Sequence, residues 1–143
     1  HTFKDVIDNQ IHFALKKGDI NPEDPTLVRV HLHNTLGDLL GSTRNISRTM
    51  TLQDAMKRIA DEGGVLVLLG KEEDLEGQVR KFAAEDRGEQ PEGKTWTGSS
   101  RTVGVGSQIL ATLGVKKIRL LSKPVKYHAL SGFGLDVVEY IHS

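Results

Sequence analysis

The spacing of apolar residues along this 143-residue chain predicts a mixed α+β (mixed α/β) fold, in which a mixed β-sheet is flanked by helices. The first half carries short apolar runs with the period of strands, and the second half alternates helical and strand periods. Clusters of Gly, Pro, Asn and Asp between these segments predict the turns. A chain of this length can bury one core, so we expect a single domain over residues 1–143.

The composition excludes several classes of protein. Nineteen basic and nineteen acidic side chains give a net charge of zero, so no long-range field attracts nucleic acid or an anionic membrane. No apolar run approaches the roughly 18 residues of a membrane span. The absence of cysteine excludes disulfides and thiolate metal sites. We therefore expect a cytoplasmic protein with neither nucleic acid nor membrane as partner.

The start of the chain predicts a β-hairpin. Residues 3–7 and 11–17 are extended apolar segments, and Asp8-Asn9-Gln10 between them is typical of a turn. Ile11, Phe13 and Leu15 share one face of the second strand because of its two-residue period. Since the chain opens on His1 without an initiator methionine or an apolar leader, we expect it to be a fragment of a longer protein.

A third strand is predicted at residues 27–32, after a loop with two prolines. Its apolar residues alternate with Arg29, His31 and His33. Two imidazoles on one strand face can ligate zinc, but a site needs a third ligand. Ordinary surface histidines are the more frequent explanation of such a pair.

Helical spacing is strongest at residues 51–63, where Thr51 and Asp54 resemble a capping box and Gly63 is a typical stop. The continuous apolar run 65–69 predicts a strand covered on both faces. The other elements are predicted as a helix at 75–84, a flexible excursion at 86–100, a helix at 107–113, a strand at 118–121, a short helix at 127–131 and a strand at 135–141.

Two further segments have two interpretations each. The amides around Gly104 and Gly106 can hold a phosphate if they open a helix, or the glycines can let that helix pack against the sheet. Lys71 to Glu92 contains eight acidic and four basic residues. A paired-carboxylate site is one interpretation of this segment, and a solvated helix face with flexible flanks is the more frequent one.

A set of motifs in order along nearly the whole chain resembles the GTP cyclohydrolase II family. They are His12-Phe-Ala-Leu-Lys-Lys-Gly-Asp19, Leu27-Val-Arg-Val-His31, Gly37-Asp38 with Gly41-Ser42, Gly104-Val-Gly-Ser-Gln-Ile-Leu110, Leu113-Gly-Val, Ile118-Arg-Leu-Leu121 and Gly132-Phe-Gly-Leu-Asp-Val-Val-Glu139. The resemblance implies the fold of this family, whose enzymes open the guanine ring of GTP at the start of riboflavin synthesis.

The positions that carry the family's chemistry depart from its pattern. The family holds zinc with three cysteines, and this chain has Asn34, Asn45 and Ser47 there. Its tyrosine proton donor falls on Phe82 and its catalytic carboxylate on Ser99. Its basic triphosphate motif is replaced by Gly70-Lys-Glu-Glu-Asp-Leu75. The positions that remain as vestigial or ligand-binding candidates are Arg29, His31, Arg101, Gly104, Gly106, Ser122 and Lys126.

These losses imply a GTP cyclohydrolase II-like domain with no catalytic residue, no metal and no cofactor of its own. We expect it to support or regulate an N-terminal 3,4-dihydroxy-2-butanone-4-phosphate synthase of the same chain, a lyase that can use Mg²⁺, and to form a homodimer. Two alternatives stay open. One is a module that senses a nucleotide or phosphate through a weak site, and the other is a cyclohydrolase-like enzyme with altered chemistry.

Overall fold

The computed structural model describes residues 1–6, 9–32, 50–70, 75–88, 100–122 and 132–141. Within these ranges, six strands form one mixed sheet accompanied by three helices, which confirms the predicted fold class. The strands are β1 (Thr2–Lys4), β2 (Ile11–Lys17), β3 (Thr26–Leu32), β4 (Gly64–Leu69), β5 (Lys117–Leu121) and β6 (Asp136–Ile141), and the helices are α1 (Leu52–Glu62), α2 (Leu75–Asp86) and α3 (Ser100–Thr112).

The strands lie in the order β1-β2-β4-β3-β5-β6. The first three of these are antiparallel neighbours, with Phe13 opposite Leu68 between β2 and β4. The strands β4, β3, β5 and β6 run parallel, with Val30 opposite Val67 between β3 and β4. Parallel neighbours need long crossovers, and α1 lies in the one that joins β3 to β4.

The sheet buries apolar residues on both faces, as predicted for residues 65–69. One face packs α1 through Ala55 and Ile59 against three sheet leucines, Leu27, Leu66 and Leu121. The opposite face packs α3 through Ile109 and Leu110 against a larger set, Ala14, Val28, Val65, Val67, Leu69, Ile118 and Leu120. The two faces of β4 therefore belong to two separate cores.

Helix α1 matches its sequence signals closely. The Thr51 hydroxyl accepts a hydrogen bond of 3.1 Å from the Asp54 amide, which satisfies one of the unpaired amides at the helix start. The helix ends at Gly63, whose φ of 79° places it in the left-handed region and whose amide donates to the Ile59 carbonyl. The predicted cap and stop are confirmed.

The hairpin has the predicted second strand, but its first strand covers Thr2–Lys4 where residues 3–7 were predicted. It buries the face of β2 opposite to its apolar one. His12 and Ala14 are buried, whereas Ile11, Phe13 and Leu15 are 40%, 45% and 46% exposed. Ala14 packs into the core beneath α3, and this contact determines which face of β2 is buried. The three large apolar side chains share one face, as predicted, and that face is half open to solvent.

Helix α3 begins at Ser100, seven residues before the predicted start at 107. Gly106 lies inside it and comes so close to the sheet that an added Cβ would stand 3.3 Å from the Val30 side chain. The predicted excursion at 86–100 is correspondingly shorter, because α2 extends to Asp86 and α3 includes Ser100. Residues 89–99 and the predicted helix at 127–131 lie outside the described residues.

Candidate functional site

The strand order places a topological switch point between β3 and β5. These parallel neighbours are followed along the chain by strands on opposite sides of the pair, because β3 leads to β4 and β5 leads to β6. Open α/β sheets bind ligands in the crevice at the carboxyl ends of such a strand pair. We call this end of β3 and β5 the switch-point crevice.

Two retained polar residues of β3, Arg29 and His31, lie at this end on the face of α1. The Arg29 Nη1 donates to the Leu121 carbonyl at 2.8 Å, and its Nη2 lies 3.4 Å from the His31 Nδ1. His31 is only 2% exposed. The partly buried guanidinium of Arg29 thus links β3 to the carboxyl end of β5. The structure places the two candidate residues, Arg29 and His31, next to each other.

We expect Arg29→Met to lower the free energy of unfolding by about 1–3 kcal/mol. The methionine keeps an apolar stem but leaves the Leu121 carbonyl without its charged donor. Arg119→Met is the matched control, because Arg119 bonds Glu139 at an exposed pair and such pairs contribute about 0–1 kcal/mol. Urea unfolding of both variants checks this, and equal midpoints would contradict the assigned role of Arg29.

A second polar group, His12, lies on the opposite face and was missed by the sequence analysis. Its Nδ1 accepts a hydrogen bond of 3.0 Å from the Gly70 amide, just after β4. The ring is 4% exposed, and its Nε2 has no hydrogen-bond partner within the described part of the chain. No local pattern marked the His12 face of β2 as buried, because the larger apolar residues Ile11, Phe13 and Leu15 lie on the other face.

The predicted phosphate site at Gly104 and Gly106 is wrong, because these residues do not open a helix. Both residues lie inside α3, where amides bond to carbonyls four residues earlier and point at no ligand. The alternative interpretation is confirmed in its packing, because Gly106 permits the close approach of the helix to Val30. Arg101 belongs to the first turn of this helix.

The other predicted positions fall partly outside the described structure. Ser122 follows β5 directly, half-buried, and its amide donates to the Leu120 carbonyl. Phe82 is half-buried on α2. The positions that lie outside the described residues are His33, Asn34, Asn45, Ser47, Ser99 and Lys126.

The donor set does not fit the zinc site that the resemblance implies. The whole chain lacks cysteine, and amide or hydroxyl oxygens are poor replacements for three thiolates on a borderline-soft ion. Across the described ranges, no group of three or more His, Cys, Asp or Glu side chains is placed to hold a metal ion. The Nδ1 of His31 lies 3.4 Å from the guanidinium of Arg29, a cation that is no metal ligand.

Of the acidic segment from Lys71 to Glu92, the structure describes helix α2 and the two residues after it. Glu76 pairs with Arg80 one turn later, and both side chains are more than two-thirds exposed. No residue of α2 is fully buried. This part of the segment is a solvated helix face, as the more frequent interpretation predicts, and residues 71–74 and 89–92 lie outside the described ranges.

No helix in the described part of the chain is both long and apolar enough to span a membrane.

Comparison with known proteins agrees with the motifs. A 3,4-dihydroxy-2-butanone 4-phosphate synthase of Photobacterium phosphoreum is 49% identical over 99% of this chain, and one of Pseudomonas aeruginosa is 44% identical over 98%. The riboflavin biosynthesis protein RibBA of Chlorobium phaeovibrioides is 37% identical over 97%. The chain spans only 38% of the two synthases and 36% of the third protein.

The family model described as GTP cyclohydrolase II matches residues 1–142. This match covers both cores, the switch-point crevice and all the positions discussed above. The chain belongs to the GTP cyclohydrolase II family.

Proposed function

We propose that this chain is a GTP cyclohydrolase II-like domain without cyclohydrolase activity, which supports or regulates an attached 3,4-dihydroxy-2-butanone-4-phosphate synthase in riboflavin biosynthesis. The observation that carries the proposal is a family scaffold with no cysteine in it. The names of the relatives, and the 38% of their length that this chain spans, favour a synthase in the remainder of the protein.

The loss of chemistry extends beyond the metal. Phe82 stands where the family has its tyrosine, and a phenyl ring has no proton to donate. The family's carboxylate position is Ser99, and its basic triphosphate motif has become acidic between Lys71 and Asp74. These changes affect different steps of the reaction, and together they leave the fold without the groups that the chemistry needs.

The retained features are structural. Gly106 preserves the approach of α3 to the sheet, and the buried leucines of β4 preserve both cores. A domain that keeps its packed core but lacks catalytic groups can still support an attached enzyme through a binding surface. We propose that it does so as part of a homodimer, with the lyase activity and any Mg²⁺ belonging to the attached synthase.

The supporting role is tested by removing the domain from the whole protein. We expect the activity of the shortened synthase to fall several-fold or its melting temperature to fall. We also expect its mass in sedimentation to fall from that of a dimer to that of a monomer. A variant such as Arg119→Met in the whole protein is the control, because it changes only an exposed pair. Equal activity, stability and mass after truncation would overturn the supporting role.

A second candidate is a module that senses a nucleotide or phosphate. The observation that favours it is the guanidinium of Arg29 at the switch-point crevice, which lies near His31 and bonds the carbonyl of Leu121, the residue before Ser122. Calorimetry of the whole protein against GTP, GMP, a flavin nucleotide and ribulose 5-phosphate tests this candidate. Binding heat that Arg29→Met abolishes supports it, and no heat at millimolar ligand overturns it.

A further inference from the structure

Among the residues that the structure describes, the strand β2 has an open edge along its second half. Its partner β1 covers only Ile11 to Phe13, and His1 pairs with Ala14 beyond them. Within the described residues, no strand lies beside Leu15, Lys16 and Lys17 on the β1 side. On the other side these same three residues pair with β4.

The backbone of Lys16 presents its hydrogen-bonding groups to this open edge. The backbone nitrogen of His1 donates to the Ala14 carbonyl at 3.0 Å, and the Ala14 amide donates to the His1 carbonyl at 2.9 Å. These two bonds show that Ala14 turns its amide and carbonyl toward β1. Because the direction alternates along an antiparallel strand, Lys16 turns its own amide and carbonyl the same way.

An apolar surface lies beside the open edge. Leu15 is 46% exposed, and Phe13 on the same strand face is 45% exposed. Their cross-strand neighbours on β4 are Leu66 and Leu68, so the floor of this surface is apolar as well. An unpaired edge next to exposed leucine is a site for strand addition.

We propose that the polypeptide preceding His1 in the whole protein continues β1 antiparallel along Leu15, Lys16 and Lys17. This inference rests on the proposed function, with the attached synthase N-terminal to this domain as the resemblance implies. The residue immediately before His1 would lie opposite Leu15, and the second before it would bond the backbone of Lys16. The synthase would then be joined to this domain through the sheet itself rather than through a loose linker.

Continuity of the chain favours this occupant over a second copy. His1 is already fixed by two bonds in the register of β1, so the next residue upstream begins beside Leu15. A strand from another copy would lose translational and rotational freedom on association. Lys17 does not obstruct the edge, because its ammonium group is bonded to the Ala60 carbonyl of α1.

Hydrogen exchange in the whole protein tests the proposed pairing without any substitution. We expect the Lys16 amide to exchange at least about 100-fold more slowly than in an unstructured chain, like the Ala14 amide, which is paired already. A Lys16 amide that exchanges at the unstructured rate while the Ala14 amide stays protected would overturn the proposal.

Disulfide formation tests the register. Leu15→Cys, combined with cysteine at the residue immediately before His1, should close a bond within one chain, because facing residues in this kind of pair have α-carbons about 4.5 Å apart. Lys17→Cys with the same upstream cysteine is the matched control, since the diagonal separation of about 7–8 Å is too long. This chain contributes no native cysteine, and peptide mapping identifies the bond formed.

The outcomes separate this inference from the proposed function. A bond within one chain in the Leu15 variant alone supports the strand continuation, and a bond between two chains assigns the edge to a second copy and overturns it. Equal bonding in both variants also overturns the register. Synthase activity of the whole protein is a separate measurement, so its absence would count against the proposed function and leave the pairing result intact.

Discussion

Gly64→Ala is expected to lower the free energy of unfolding by about 3–5 kcal/mol, from the sum of a clash and a strained backbone. Gly64 opens β4 with a φ of 137°, a conformation that side chains rarely adopt. A Cβ there would stand 2.2 Å from the carbonyl oxygen of Leu27 on β3. Neither strand can withdraw easily, because Val28 and Val65 beside this contact are fully buried.

Two other glycines separate the clash from the strain. Gly18→Ala introduces backbone strain without a clash, because the φ of Gly18 is 82° and an added Cβ meets nothing within 4 Å. We expect that variant to lose about 1 kcal/mol. Gly70→Ala carries a clash alone, because its Cβ would stand 2.2 Å from the Ile11 carbonyl oxygen without a positive φ. We expect an intermediate loss for this variant.

Urea unfolding measures the three glycine variants. The expected order of midpoints is Gly18→Ala highest, Gly70→Ala next and Gly64→Ala lowest. A Gly64→Ala protein as stable as Gly18→Ala would show that β3 and β4 do not approach as closely at this point as the structure places them.

The sequence predicts best where local chemistry decides the structure. Helix α1 begins and ends within a residue of its predicted bounds, because the Thr51 cap and the Gly63 stop are local signals. The run at 65–69 was predicted as a strand covered on both faces, and Leu66 and Val67 indeed belong to different cores.

Prediction fails where distant contacts override the local pattern. Ile11, Phe13 and Leu15 are the more apolar face of β2, yet Ala14 is the side that meets the core under α3. The start of α3 was missed because Gly104 and Gly106 are poor helix formers. In the folded chain Gly106 serves the packing of the helix against Val30, and that contact has no local signal.

In the candidate site too, some features were predicted from the sequence and others were not. Arg29 and His31 were predicted to share a strand face, and the structure places them together at the switch-point crevice. The bond from Arg29 to the Leu121 carbonyl and the burial of His12 depend on the order of strands, which no local pattern gives. The strand order arises from pairings that are far apart in sequence, such as β3 with β5.

The second large effect concerns catalysis, where we expect GTP turnover to be absent. The family reaction, as the resemblance implies it, needs a zinc-activated water and a proton donor. This chain has no cysteine for the metal and Phe82 in place of the donor. Either loss alone removes a group that the reaction needs, so together they should leave no measurable rate.

The most direct test is to incubate the whole protein with GTP, Mg²⁺ and Zn²⁺ and to measure the release of formate and of the pyrimidine product. A family member that retains the three cysteines is the positive control, and metal analysis of the purified protein accompanies the assay. We predict formate at the level of a blank without protein, and zinc far below one equivalent. Formate release that rises with protein concentration and is abolished by a chelator would contradict the account.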